Sequence, residues 1–341
     1  MSKNLYLVLG NGFTIDFINH IKNEEIDASN FFKYGAEVPW PGNNEPGFLS
    51  SKNCPNLWNL GARPNMDSKQ ALDLIEDIIT SINVYASHPK KSLLADTKQN
   101  DIYFYAYLEL VEYIRNLFVY YDTKIDEIPI EIENWSWFIY LKNAYEKYDK
   151  IYIVTYNYDV WIERILQKAN LEFGIYGFKK IEEKKIIIFK PHGSISFQHK
   201  TTVAKEAYRI KQSKTIEDGA VKNFRLSYSY EKIPLVSAII PPASEAGRMQ
   251  QVHSSWSKKI HNEIIKTFKT TTENDELIMC GISYWHVDRN EIDNILVSLN
   301  PKINVKMINP YPPKSLNAVL TSLFENFVLY PKSNILERLI K

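Results

Sequence analysis

The run Lys150-Ile151-Tyr152-Ile153-Val154-Thr155 is β-branched and apolar, and it ends abruptly in Tyr156-Asn157-Tyr158-Asp159. A helical spacing follows at once in Val160, Ile162, Ile165 and Leu166. A strand that feeds directly into a helix is the repeating unit of an open parallel sheet, and ligands of such sheets sit outside the carboxyl ends of the strands. Asn157 and Asp159 therefore stand where a ligand would meet an amide and a carboxylate two residues apart. Asn and Asp are also leading helix caps, and this segment alone does not separate the two readings.

The unit recurs along the chain. Leu5 to Leu9 is a short continuous apolar run that leads into Gly10-Asn11-Gly12-Phe13-Thr14 and a helical pattern through Ile15, Ile18 and Ile21. From about Asn30 to Met66 the chain is broken by Pro39, Pro41, Pro46, Pro55 and Pro64, the composition of a long functional or mobile loop. Leu72, Ile75, Ile78, Ile79 and Ile82 fall at helical spacing, as do Phe104, Tyr107, Leu108, Val111, Ile114 and Phe118, and a third helix is expected over Trp135 to Tyr148. Strands are then expected at Lys185–Phe189, Pro234–Ile240, Glu276–Cys280 and Ile303–Ile308, with helices near Val252–Phe268 and through Ile292, Ile295 and Leu296. The segment Phe178–Lys190, with its Lys pairs and Glu pair, reads as a solvated turn region. Together these features predict an α/β fold, a doubly wound, mostly parallel, Rossmann-like sheet, with residues 1–30 and 149–341 as a nucleotide-binding core and 31–148 as a mostly helical insertion.

Composition narrows the function. Of 341 residues, 45% are hydrophobic and the formal net charge is +1, so nothing draws the chain to nucleic acid or to an anionic membrane. No stretch approaches 18 apolar residues, and Leu5–Leu9 is too short for the apolar region of a signal peptide. Cys54 and Cys280 are the only cysteines, too few for a four-cysteine zinc site or a disulfide framework, so a reducing cytoplasm is the expected compartment.

The strand endings carry the candidate chemistry. Gly10-Asn11-Gly12 between a strand and a helix suits a phosphate-cradling turn, with Thr14 adding a hydroxyl, although a merely structural turn has the same pattern. Ile15 stands where a full dinucleotide fingerprint would need a third Gly. His192 in Pro191-His192-Gly193-Ser194 follows a strand and is either a packed imidazole or a group that exchanges a proton near neutral pH. Gly281, Ser283 and Asn309 also follow strands and offer amide and hydroxyl groups to a nucleotide.

In their order, Gly10-Asn11-Gly12-Phe13-Thr14, Thr155-Tyr156-Asn157-Tyr158-Asp159, Lys190-Pro191-His192-Gly193-Ser194, Pro241-Pro242 with Trp256, Gly281-Ile282-Ser283-Tyr284 and Ile308-Asn309-Pro310 resemble the sirtuin-like superfamily. The chain is similar to its bacterial antiphage-defence proteins, and Gly-Asn-Gly-Phe is similar to the related abortive-infection branch. The resemblance implies NAD+ as substrate, Asn157 and His192 as the catalytic pair and Asp159 as the neighbouring carboxylate. By the same resemblance Gly10, Asn11, Gly12, Phe13, Thr14, Gly281, Ser283 and Asn309 are the nucleotide-contacting positions. Asn11 stands where the family usually has Ala, and the zinc-binding cysteines of deacylating sirtuins have no counterparts, so no zinc is expected.

The activity so implied is NAD+ hydrolysis to nicotinamide and ADP-ribose. The alternatives are deacylation, ADP-ribosyl transfer to a protein, or a nucleotide-binding sensor or scaffold without turnover. The expected partners are a second copy of the chain, a regulatory protein such as a translocase-type ATPase, or both.

Overall fold

A computed structural model describes residues 3–87, 101–178, 181, 183–210, 220–242, 255–284 and 289–339. Its centre is a seven-stranded, wholly parallel sheet in the order β12-β11-β10-β1-β2-β4-β3. The strands are β1 (Leu5–Leu9), β2 (Ile151–Thr155), β3 (Phe173–Ile175), β4 (Ile186–Phe189), β10 (Glu276–Cys280), β11 (Asn304–Ile308) and β12 (Asn326–Tyr330). Every residue of β1, β4 and β10 is buried, as a strand covered on both faces requires, whereas edge strand β12 alternates between exposed and half-buried positions.

Among the described residues the α-helices, in chain order, are α1 (Asn11–Ile21), α2 (Pro55–Asn59), α3 (Ser68–Ser87), α4 (Asp101–Asp122), α5 (Ser136–Lys147), α6 (Trp161–Lys168), α7 (Ser255–Phe268), α8 (Arg289–Ser298), α9 (Lys314–Leu323) and α10 (Leu336–Leu339). Aromatic side chains seat them. Phe13 of α1 packs against Trp135 and Trp137, each with ring centroids 5.3 Å away, and Phe17 packs against Trp161 at the start of α6. Tyr6 stacks on Tyr152 and meets Phe268 of α7 edge-on. Among the described residues no helix is long and apolar enough to cross a membrane.

The chain enters the sheet at its middle. From β1 it goes to β2, β3 and β4 on one side, then crosses to β10 on the other side of β1 and continues outward to β11 and β12. The order therefore reverses between β1 and β10, which opens a crevice at their carboxyl ends.

Two expectations need correction. Pro234–Ile240 is not a strand of the parallel series. It divides into β8 (Ile233–Pro234), antiparallel to β6 (Thr202–Val203), and β9 (Ser237–Ile239), antiparallel to β5 (Gly193–His199), which also pairs with β7 (Phe224–Leu226). Proline has no N–H to give a ladder, which confines Pro234 to the small two-stranded ribbon. Lys190, read as part of a solvated turn, is fully buried: its Nζ lies 2.6 Å from Glu163 Oε1 and donates to the Asp159 carbonyl at 2.6 Å. The first residues of the helix expected from Val252, Val252–Ser254, lie outside the described residues, as do parts of Phe178–Lys190.

A buried lysine holds its charge only beside a partner, and here the partner comes from α6. Removing that partner strands the ammonium. Glu163→Ala is expected to destabilise the fold by about 3–5 kcal/mol, measured as a fall in the urea unfolding midpoint; an unchanged midpoint would contradict the pairing.

Candidate functional site

The crevice between β1 and β10 holds a cavity of about 370 Å³, a size common for ligand pockets. Its floor is backbone. Gly10 N–H donates to Cys280 O at 2.9 Å and Gly12 N–H to Gly281 O at 3.3 Å. A Cβ on Gly281 would lie 2.2 Å from the Gly12 Cα, and Gly281 has φ +64°, so the two turns interlock only as glycines. The amides of Gly12 and Phe13 are occupied, the latter by Gly10 O. Among the described residues no side chain caps α1, and Asn11, at its partially positive end, lines the cavity.

Asn11 has a second task. Its Nδ2 donates to Ala28 O at 2.7 Å and fastens the start of α1 to the loop whose Ala28, Ser29 and Phe31 form part of the cavity wall. Phe31, Phe118 of α4 and Tyr158 make that wall aromatic, with ring centroids 5.4–6.5 Å apart, and Leu72 and Ile75 of α3 extend it.

Asn157 is oriented by its neighbours. Its Nδ2 donates to Gly10 O at 3.0 Å and to Thr14 Oγ1 at 2.9 Å. A backbone carbonyl only accepts, so the amide nitrogen must face inward, and Oδ1 is the atom left to the cavity. Thr14 in turn donates to Asp159 Oδ2 at 2.7 Å, and Asp159 Oδ1 accepts the Trp161 N–H at 3.1 Å. Burial pushes the Asp159 carboxyl up, against the charge of Lys190 and these hydrogen bonds, which pull it down. Asp159 is thus the support of α6 and, through Thr14, of Asn157; it does not line the cavity.

His192 enters from the other strand ending. Gly193, at φ +87°, turns the chain there, where a Cβ would lie 1.7 Å from Ala238 O. Ile240 N–H donates to His192 O at 2.9 Å, and Ser257 Oγ donates to Pro191 O at 2.7 Å. The imidazole lines the cavity, meets the Tyr156 ring edge-on at 4.9 Å, and bonds through Nε2 to Glu291 Oε2 at 3.2 Å. In a neutral imidazole that donates to this carboxylate, the proton sits on Nε2 and Nδ1 carries the lone pair.

Of the residues expected at the site, Gly10, Asn11, Asn157, His192, Gly281 and Ser283 line one cavity. Gly12, Thr14 and Asp159 stand directly behind them. Phe13 does not: its side chain is core, wedged between two tryptophans. Asn309 also lies outside the lining, where Oδ1 accepts the Tyr311 N–H at 2.9 Å in a local turn. Glu291, Tyr284 and the aromatic wall were missed. Glu291 reads as an ordinary acidic residue in the first turn of a helix, and only its contact with a residue 99 positions away distinguishes it. No family model matches this sequence, and no curated protein matches it.

The Thr14 hydroxyl is the link between Asn157 and Asp159. Thr14→Val keeps the shape and removes both bonds, so it is expected to cost about 1–3 kcal/mol by urea denaturation, while Thr14→Ser stays near wild type. Equal stability of the three proteins would rule out the link.

Proposed function

We propose that the chain hydrolyses NAD+ to nicotinamide and ADP-ribose. The observation that carries this reading is the joint placement in one cavity of an acceptor oxygen, an imidazole and an uncapped helix start. Rupture of the nicotinamide–ribose bond sends its electron pair to the pyridinium nitrogen and leaves an oxocarbenium-like ribose. Water then adds to the anomeric carbon and must lose a proton.

Asn157 Oδ1 is the acceptor for a ribose hydroxyl, its angle fixed by Gly10 and Thr14. His192 Nδ1 takes the proton from the attacking water. The Asn11 end of α1, beside the Gly10–Gly281 turn pair, suits the pyrophosphate. The wall of Phe31, Phe118 and Tyr158 suits the flat nicotinamide and limits the water that reaches the ribose.

The resemblance to antiphage proteins extends the reading to depletion of NAD+ in an infected cell. Such an activity needs restraint, by a partner protein such as a translocase-type ATPase or by self-assembly.

The test is nicotinamide release from NAD+ by the purified chain, with and without its genomic neighbours. Asn157→Ala and His192→Ala, folded by circular dichroism, are each expected to lower turnover by about 10²-fold or more. If both keep wild-type activity, the assignment fails. Tight ADP-ribose binding without nicotinamide release under any condition would make the chain a nucleotide sensor instead.

A further inference from the structure

Of the buried carboxylates that the mechanism does not use, Glu291 is the one bonded to His192. Glu291, in the first turn of α8, is 3% exposed and does not line the cavity, although the next residue, Ile292, does. A carboxylate loses most of its hydration on such burial and persists there only with hydrogen-bond donors. One partner here is the ring of His192, itself 3% exposed, at 3.2 Å between Glu291 Oε2 and His192 Nε2. His261 of α7 lies within electrostatic reach of the same carboxylate, but its buried Nδ1 has no hydrogen-bond partner among the described residues. Of the two imidazoles, His192 is the one the carboxylate bonds.

We propose that Glu291 is the positioning residue of His192: it fixes the tautomer that puts the lone pair on Nδ1 and stabilises the imidazolium when that nitrogen takes a proton. The inference rests on the hydrolytic reading for its catalytic consequence, but the tautomer does not depend on turnover. The geometry has three parts. Tyr156 bounds the ring at its edge, the backbone of residues 191–193 is pinned by Ser257 and Ile240, and Glu291 sets the remaining rotation by bonding Nε2. An orienting carboxylate behind a histidine base is a general device of acid–base catalysis, and loss of an orienting partner behind a ligating histidine typically costs about 10–100-fold. In the proposed step the water O–H bond breaks, its hydrogen passes to His192 Nδ1, the oxygen bonds the anomeric carbon, and the resulting imidazolium shares its Nε2 proton with Glu291.

The test uses the full chain with ¹⁵N-labelled histidine. His192→Ala identifies the His192 signals. Wild type is expected to show the Nε2–H tautomer at His192, and Glu291→Gln, which can either accept from or donate to that nitrogen, a mixture of tautomers. In the nicotinamide assay Glu291→Gln is expected to lower kcat by about 10–100-fold with KM within about twofold, and Glu291→Asp, where the carboxylate remains, to recover part of the loss. If Glu291→Gln retains both the wild-type tautomer and wild-type kcat, the positioning role is overturned. If the tautomer responds to Glu291 but His192→Ala remains fully active, the positioning stands and the hydrolytic reading falls. Should Glu291→Gln fail to fold, the wild-type signals decide: a His192 ring protonated on Nδ1 and bare at Nε2 would overturn the proposal.

Discussion

Everything in this molecule that bears on chemistry depends on how closely two backbone turns approach. Gly12 and Gly281 meet with no side chain between them, and the contact joins the carboxyl end of β1 to that of β10 at the one place where the strand order reverses. A methyl group on either would separate these ends by the width of a side chain. The cavity floor, the start of α1 and the Gly281–Tyr284 segment would then lose their common reference. The site is therefore a property of the sheet's topology first and of its polar residues second.

The polar residues are held by a second layer that is entirely internal. Lys190 bonds the carbonyl of Asp159 and the carboxylate of Glu163, so the ending that carries Asn157 and the ending that carries His192 are tied by one buried ammonium. Tyr158 adds a further tie: its hydroxyl donates to Ile240 O at 2.6 Å, and its carbonyl accepts the Ile195 N–H at 3.0 Å. Buried charges of this kind add little net stability against a well-packed apolar alternative. Their effect is geometric, because each remaining donor or acceptor has one low-energy direction once its neighbour is fixed.

How much of this was legible in the sequence follows from the range of each interaction. The strands β1, β2, β4, β10 and β11 announce themselves through local apolar runs and the glycines, asparagines and prolines that end them. β5 is also written locally, since Ile195 and Phe197 alternate with Ser194, Ser196 and Gln198 directly after the turn at Gly193. β3, at three residues, is too short to show a period. The split at Pro234 depended on which partner strand had room for a residue without an N–H. At the site, Asn157 and His192 were visible because strand endings are. Phe13 was misplaced because a motif position says nothing about which way a side chain turns. Lys190, Glu163 and Glu291 could not be read as buried, because their partners lie 27 and 99 residues away in sequence.

Gly10, Asn157, His192 and Gly281 come from four separated parts of the chain, and β1 lies between β2 and β10. During synthesis β1 can pair with β2 once Thr155 has been made, but its other edge stays open until β10 is made. Contacts of such long sequence separation form late and slowly. A nascent or truncated chain can thus hold half of the sheet, including Asn157 and His192, without possessing a closed cavity. For a protein whose proposed activity would harm the cell that makes it, the topology itself delays the assembly of the site until β10 has been made.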